Sequence, residues 1–464
     1  MSVADIRNVA VIDVGKTNGK VALFDVVLGT ESHVHSTANT VLKDGPYPHY
    51  DIEGLWSFFL GSLREIGAKE RIDAIAITAH GASITLVDAA GNLALPMLDY
   101  EFDGPDTLKA DYDAIRPPFS ETGSPRLVCG LNVGAQLYWQ AKTFPEEFAR
   151  ATSIIPYPQY WAMRLTGVRA SEATSIGAHT DLWNPFTRDF TALVDAMDWR
   201  RLMPPMGSPF DILGTIRPEI AAATGLPVTT PVFSGIHDSN ASLLSHLQAD
   251  DPPFSVVSTG TWVICFSVGG SEVVLDEARD TLVNVNAFGD PVPSARFMGG
   301  RVFAILGADP KATISAADRD AVLDGGIMLL PAVPDDSGPF FGRKGGWRGN
   351  ADALTPGGFL FAVSLYLGMM TSVSLELIGA DGPVVVEGPL AANLTFLETL
   401  KAVTGRPVMT GGSGVTGTSA GTALLALGRD ARITSHSKVA ALVPDPRIAA
   451  YAAEWRRISE MRDG

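Results

Sequence analysis

One pattern, used twice, constrains this chain more than anything else in it. The stretches "VAVIDVGKTNGKVALFD" (residues 9–25) and "FSVVSTGTWVICFSV" (254–268) both read as a β-rich run, a short turn built on Gly and Thr, and a second β-rich run. Each predicted hairpin is followed by further strand and helix patterns. The chain therefore divides into two α/β domains of similar design, 1–243 and 244–464, with "QADDPP" as the linker near the boundary. Between the hairpins, "HVHSTANTV" extends the first β region, residues 52–68 carry Leu55, Phe58, Phe59 and Leu63 at helical spacing, and "IDAIAITAHG" is a strand. "EEFARATSIIPYPQYWAMRLTG" gives a helix, a Pro-broken loop and a helix that stops at Gly167. "GPVVVEG" is a buried strand feeding a helix that begins near Pro389 and ends at Gly405.

Charge narrows the ligands. The net charge is −16 and Lys and Arg are not clustered, so neither a nucleic-acid groove nor a polybasic membrane patch is expected. An anionic ligand would need backbone N–H groups, helix starts or a metal ion. The longest apolar run, "GGFLFAVSLYLGMMTSVSLEL", is interrupted by Gly, Ser and Tyr and reads as a buried helix rather than the roughly twenty apolar residues of a bilayer span. Two cysteines, Cys129 and Cys265, and a start without a charged-then-apolar leader make the cytoplasm the expected location.

Gly15-Lys16-Thr17 invites comparison with a P-loop, G-x-x-x-x-G-K-[ST] between a strand and a helix. It fails twice. Ala10 stands where the first Gly belongs, and "NGKVALFD" after Thr17 is strand-like. A tight turn between two strands offers another route, because successive N–H groups can form an anion-binding nest. An ordinary hairpin with polar turn residues explains the same letters.

The second turn, Ser258-Thr259-Gly260-Thr261, adds weight to the phosphate reading. With "SGIHDSN", "GAQLYWQAKTFPEEFARA", "YWAMRLTGVRASEATSIG" and "VVVEGPLAANLTFLETLKAVTGRPV" in this order, the chain resembles the FGGY carbohydrate kinases, in the superfamily shared with hexokinase, actin and the heat-shock ATPases. The resemblance implies two ribonuclease H-like (actin-like ATPase) domains with a nucleotide and sugar cleft between them. It implies ATP and Mg²⁺ as cofactors and a small sugar as acceptor, with no nucleic-acid or membrane partner and a homodimer left open.

The same resemblance assigns roles. Asp238 is the general base, although an Asp there also suits a helix N-cap. Asp13 holds Mg²⁺ or its water. Thr17, Asn18 and Lys20 line the first phosphate turn, and Gly260 and Thr261 the second. Gly388 and Asn393 sit at the adenosine corner, where Glu387 replaces the first of the usual paired glycines. Gly412, in "GGSGVTG", lines the nucleotide pocket; its lone G-x-G-x-x-G lacks the βαβ unit of an NAD site.

"TAHGAS" resembles the family stretch that carries a substrate-contacting His-Gly, which assigns His80 and Gly81 to the acceptor. Asp99, Gln159 and Tyr160 complete that side. Many family members carry an Asp-Arg pair after this stretch, whereas "LDYEFDGPD" has Asp99 and no Arg. Trp161 reads equally as core, and His33 and His35 as a solvent face. The implied reaction is ATP-dependent phosphorylation of a ketose of the L-rhamnulose, L-fuculose or xylulose type. A polyol or ketotetrose kinase is the runner-up, and an actin-like ATPase or sugar-sensing module the rival of another class.

Overall fold

The structure, a computed structural model, describes residues 6–411, 417–433 and 437–461. Two compact units emerge. One holds the described residues of 6–249, 283–291 and 417–433, the other those of 250–282, 292–411 and 437–461.

The sheet of the first unit runs Ile212–Thr215, Pro231–Phe233, Ala74–Ala79, Asn8–Val14, Asn18–Asp25, Thr30–Ala38. Asn8–Val14 pairs antiparallel with Asn18–Asp25 and parallel with Ala74–Ala79, so it is central and almost wholly buried. That explains its continuous apolar run where a half-exposed strand would alternate. Thr30–Ala38 is the outer strand and alternates in burial, as an edge with one wet face should. The helix Ile52–Gly67 starts on Asp51, whose Oδ1 accepts from the Gly54 amide at 2.9 Å. Its Phe59 meets Trp161 edge-on at 5.0 Å and its Trp56 stacks on the same indole at 6.2 Å.

The loop expected around Pro156 is a strand. Ser153–Pro156 pairs antiparallel with Ile84–Val87 and is fully buried. Its β-branched pair Ile154-Ile155 suits a strand, and Pro156 is tolerated because it ends the strand and precedes the first turn of the helix Tyr157–Thr166. Gly167 stops that helix at φ 83°, a conformation glycine adopts freely.

The second unit repeats the arrangement. Phe254–Thr259 pairs antiparallel with Val263–Val268 and parallel with Val384–Glu387, as the first hairpin does with Ala74–Ala79. Pro291–Phe297 lies outside Val263–Val268, and Val408–Thr410 beyond Val384–Glu387. The helix Pro356–Leu377 is the apolar run expected to be buried. Among the described residues it is the one helix long and apolar enough to cross a membrane, but it is almost wholly buried. Its Phe361, Leu365, Tyr366 and Met369 belong to the unit's core with Phe396, Leu397 and Leu400 of the helix Leu394–Thr404.

Candidate functional site

The strand Ala74–Ala79 delivers His80, whose amide donates to the Val14 carbonyl at 2.9 Å. His80 is 6% exposed. Its Nδ1 lies 2.9 Å from the Gly81 carbonyl and 3.0 Å from Ser83 Oγ. A carbonyl only accepts, so the neutral ring carries its proton on Nδ1 and presents Nε2 as an acceptor. Burial holds the imidazole below its usual pKa, which keeps it neutral. Nε2 is buried and has no hydrogen-bond partner among the described residues. Three tyrosine rings stand round it, with centroids 5.2 Å (Tyr157), 5.3 Å (Tyr50) and 5.4 Å (Tyr100) away.

Tyr50 and Asp99 reach this place because residues 48–50 and 97–99 run side by side. The Tyr50 amide donates to Met97 O at 3.1 Å and the Asp99 amide to Pro48 O at 3.0 Å. Asp99 is 7% exposed and accepts from the Tyr50 hydroxyl at 3.2 Å. Its ammonium partner is Lys16, from the first hairpin turn.

Asp238 opens the helix Asp238–Ala249, just past the short strand Ile236–His237 that pairs with Ala74–Ala79. Its Oδ1 accepts from the neighbouring Ser239 amide at 2.6 Å, and His237 Nε2 is 3.3 Å away. Burial raises the carboxyl above its usual range, and the nearby His80 opposes the shift. Burial also pushes His237 down to about 4, so it is neutral. Its Nδ1 takes the Asn240 amide at 3.1 Å, which leaves the ring proton on Nε2, toward Asp238. Gly81 is required here for room, since a Cβ would sit 2.6 Å from His237 Nε2.

Buried groups hold this turn from behind. The His237 amide donates to Thr174 Oγ1 at 3.0 Å, and that hydroxyl donates to Glu172 Oε1 at 2.6 Å. Glu172 is fully buried and also accepts the Thr174 and Ser175 amides, each at 2.8 Å. Gln159 also supports this turn, with its Oε1 left without a hydrogen-bond partner among the described residues. It is fully buried, and its Nε2 donates to the Ser234 and Gly235 carbonyls at 3.1 Å each. Tyr160 moves from contact to core. It packs edge-on against Trp161 at 5.4 Å, and the tyrosine of this helix that meets His80 is Tyr157, three positions earlier. Pro158 sets the helix start, and with it the face each residue shows.

The first hairpin turn is tight. Gly15 N donates to Asn18 O at 2.9 Å, and Thr17 and Asn18 are exposed. Asp13 and Lys20 face each other across the hairpin. Lys20 Nζ is 3.7 Å from Asp13, 3.0 Å from Glu31 and 2.6 Å from Ser419 Oγ. The Asp13 carboxyl is raised to about 6, by burial first, against Lys20, and further by the charges of Asp238 and Glu31. A crowded, desolvated carboxylate of this kind suits a cation shared with phosphate oxygens, since Mg²⁺ takes one or two carboxylates and fills its shell with phosphate and water. No group of three or more metal-ligating side chains occurs among the described residues.

In the second unit Gly260 and Thr261 are exposed at the hairpin tip, with Gly260 N donating to Trp262 O at 2.9 Å. Gly388 has φ 79°, and a Cβ there would lie 1.9 Å from Thr259 O. The Leu390 amide donates to Thr259 Oγ1 at 3.1 Å, which ties the corner after Val384–Glu387 to the second hairpin. We expect Gly388→Ala to cost about 1–3 kcal/mol through backbone strain and this clash, read as a lowered midpoint in denaturant unfolding. A midpoint equal to wild type would contradict the packing described.

Asn393 is not inside the helix but its N-cap. Its Oδ1 accepts the Phe396 amide at 3.0 Å and its Nδ2 donates to Ser364 Oγ at 2.9 Å. Pro389–Ala392 is a separate 3-10 turn ahead of it. Both arms of Asn393 are therefore engaged within the chain. Gly412 lies outside the described residues.

Two family models match this chain. Residues 9–245 match the N-terminal domain of the FGGY family of carbohydrate kinases, and residues 251–435 match "Carbohydrate kinase FGGY, C-terminal domain". A solved carbohydrate kinase from Novosphingobium aromaticivorans is 33% identical, with a TM-score of 0.90 over 99% of this chain and 100% of its own. The L-fuculokinase of Escherichia coli (strain K12) is 26% identical over 274 residues, 55% of each protein. A probable L-xylulose kinase of Pasteurella multocida (strain Pm70) is 26% identical over 279 residues, again 55% of each. The chain thus spans about half the length of the curated relatives it matches.

Proposed function

The chain belongs to the FGGY family of carbohydrate kinases, and we propose that it transfers the γ-phosphoryl group of ATP to a hydroxyl of a ketose, with Asp238 as general base. The carrying observation is the buried, partnerless Nε2 of His80, set among three tyrosine rings and within electrostatic reach of Asp238. An orphaned buried acceptor is costly unless a ligand supplies the missing donor. A sugar hydroxyl is such a donor, and tyrosine faces suit the C–H surface of a sugar.

In this reading Asp238 takes the proton of the attacking hydroxyl as the phosphoryl group moves in line. Its raised pKa makes it a stronger base than an ordinary carboxylate. Neutral His237 and the Glu172–Thr174 chain hold its orientation. The amides of the first hairpin turn and Lys20 receive phosphate oxygens. Mg²⁺, held by Asp13 with the phosphates, would offset their negative charge. The deoxyketoses L-fuculose and L-rhamnulose rank first as acceptors and xylulose next, supported by the relatives' names and the aromatic surroundings of His80.

A coupled ATP-consumption screen over deoxyketohexoses, ketopentoses, ketotetroses and polyols tests this reading. The expected result is turnover that requires sugar, with a deoxyketohexose giving the highest kcat/KM. If glycerol or an aldohexose came first, the ketose assignment would fall. Equal turnover without any sugar would point instead to an ATPase or sensing module.

Asp13 adds a pH prediction. Below about 6 its carboxyl is protonated and loses its hold on a cation, so kcat/KM for Mg-ATP should fall with an acid limb near that value. Saturating Mg-ATP favours the charged form, so the limb in kcat should lie lower. A kcat/KM profile flat between pH 5 and 7, the window about that value, would contradict the role.

A further inference from the structure

Lys16 belongs by sequence to the first hairpin turn, but its side chain turns inward and is only 20% exposed. Its ammonium pairs with Asp99 Oδ1, donates to the Tyr50 hydroxyl at 3.3 Å, and lies 4.7 Å from the centre of the Tyr100 ring and 5.1 Å from that of Tyr50. Glu101 Oε2 is 3.5 Å away and largely exposed. No arginine stands in "LDYEFDGPD", and the cation that Asp99 meets is a lysine 83 positions earlier in the chain.

The pairing is one-sided. Lys16, the Tyr50 hydroxyl and the Glu101 amide all donate to Asp99 Oδ1, and Oδ2 accepts from none of the described residues. The cation is committed to Asp99 Oδ1 and the Tyr50 hydroxyl, with Glu101 Oε2 3.5 Å away. What stays uncommitted in this cluster, among the described residues, is a set of acceptors: Asp99 Oδ2, His80 Nε2 and Asp238 Oδ2, the Asp238 Oδ1 being taken by Ser239. Acceptors ask for hydroxyl donors. A carboxylate-bearing acceptor would set oxygen against oxygen, close to two acidic side chains and with no uncommitted cation to receive it.

Resting on the kinase reading above, we infer that the Lys16–Asp99 pair determines the acceptor class: it makes the site select an uncharged polyhydroxy acceptor and reject a sugar acid. Asp99 alone would make the site strongly acidic, and Lys16 alone would make it a carboxylate receptor. The two ring faces matter to the second case. With Asp99 neutralised, Tyr50 and Tyr100 still hold the ammonium in place, where a ligand carboxylate can meet it in competition with the largely exposed Glu101.

Isothermal titration in the absence of nucleotide, with D-gluconate as the sugar-acid probe and L-fuculose, L-rhamnulose and D-xylulose as neutral probes, tests this without any chemistry. Wild type should bind its best ketose at least about tenfold more tightly than gluconate, the scale of one charge-assisted contact. Asp99→Asn should move that ratio toward gluconate by about tenfold or more. Lys16→Met in the Asp99→Asn background should cancel the shift, because the cation is gone; this neutral pair also guards against misfolding of either single variant. Wild-type preference for gluconate, an unchanged ratio in Asp99→Asn, or an equal shift in the double variant would each overturn the inference. Absence of sugar-stimulated ATP consumption would count against the kinase reading alone, since the binding ratios still decide the role of the pair.

Discussion

Asp238→Asn should lower sugar-dependent ATP turnover by at least about 10²-fold, the scale of general-base catalysis, and leave nucleotide binding intact. The substitution keeps shape and removes both charge and basicity. Its neighbours make the effect specific. Oδ1 already takes the Ser239 amide at 2.6 Å, so an asparagine oxygen can keep that bond and the helix start with it. His237 is neutral and cannot serve as a substitute cation or acid near pH 7. His80 presents its bare Nε2 to the same region, but burial depresses its basicity. Asp13, whose carboxyl is raised to about 6 partly by the charge of Asp238, is given to the cation in this reading. Turnover would be followed by coupled ADP release, with nucleotide affinity measured by titration on the same folded variant. Near wild-type turnover would remove Asp238 from the mechanism.

The parts of this protein that are legible in sequence are those whose chemistry is local. Each hairpin could be recognised because turn and strands lie within about seventeen consecutive residues, and Gly167 and Gly405 stop their helices by a property of their own backbone. The helix Pro356–Leu377 announced its burial by having no polar face. The cluster of Lys16, Tyr50, His80 and Asp99 was half legible. His80 and Asp99 were singled out through the resemblance of "TAHGAS" and "LDYEFDGPD" to family stretches, but Lys16 was read only with its turn, because nothing in "DVGKTNGK" shows that its side chain leaves for a residue 83 positions away. Tyr157 was passed over for Tyr160 because the choice depends on where the helix begins. Pro158 was the available signal: proline favours the first turn, which places Tyr157 at the start of the helix, next to the strand end that faces His80. The Glu172–Thr174 support left little trace, since "SEATS" looks like any polar loop until Glu172 is seen to be fully buried.

Gly421→Ala should be the most damaging small substitution in the first unit. The helix Gly417–Leu424 crosses Asp238–Ala249 at Gly421, and a Cβ there would lie 1.6 Å from the Ala241 carbonyl oxygen and 2.6 Å from its carbon. Both obstacles are backbone, so no side-chain rotation relieves them and the helices must separate by more than an ångström. Overpacking usually costs about 1–3 kcal/mol, and a backbone-to-backbone clash belongs at or beyond the top of that range. The damage should also reach the chemistry. Ser419 on the same helix holds Lys20 at 2.6 Å, Thr418 bonds Ser242 at 2.9 Å, and Ala241 lies one turn along the helix that Asp238 begins. A shift at Gly421 therefore moves Lys20 and Asp238 together. We expect a lower unfolding midpoint and, in the fraction that stays folded, a fall in kcat larger than any change in KM for sugar. Gly61→Ala is the matched control: it sits in the helix Ile52–Gly67 with nothing within 4 Å of the added methyl, and should gain up to about 1 kcal/mol from helix propensity. If Gly421→Ala were as stable and active as that control, the contact between these two helices could not be what positions Asp238.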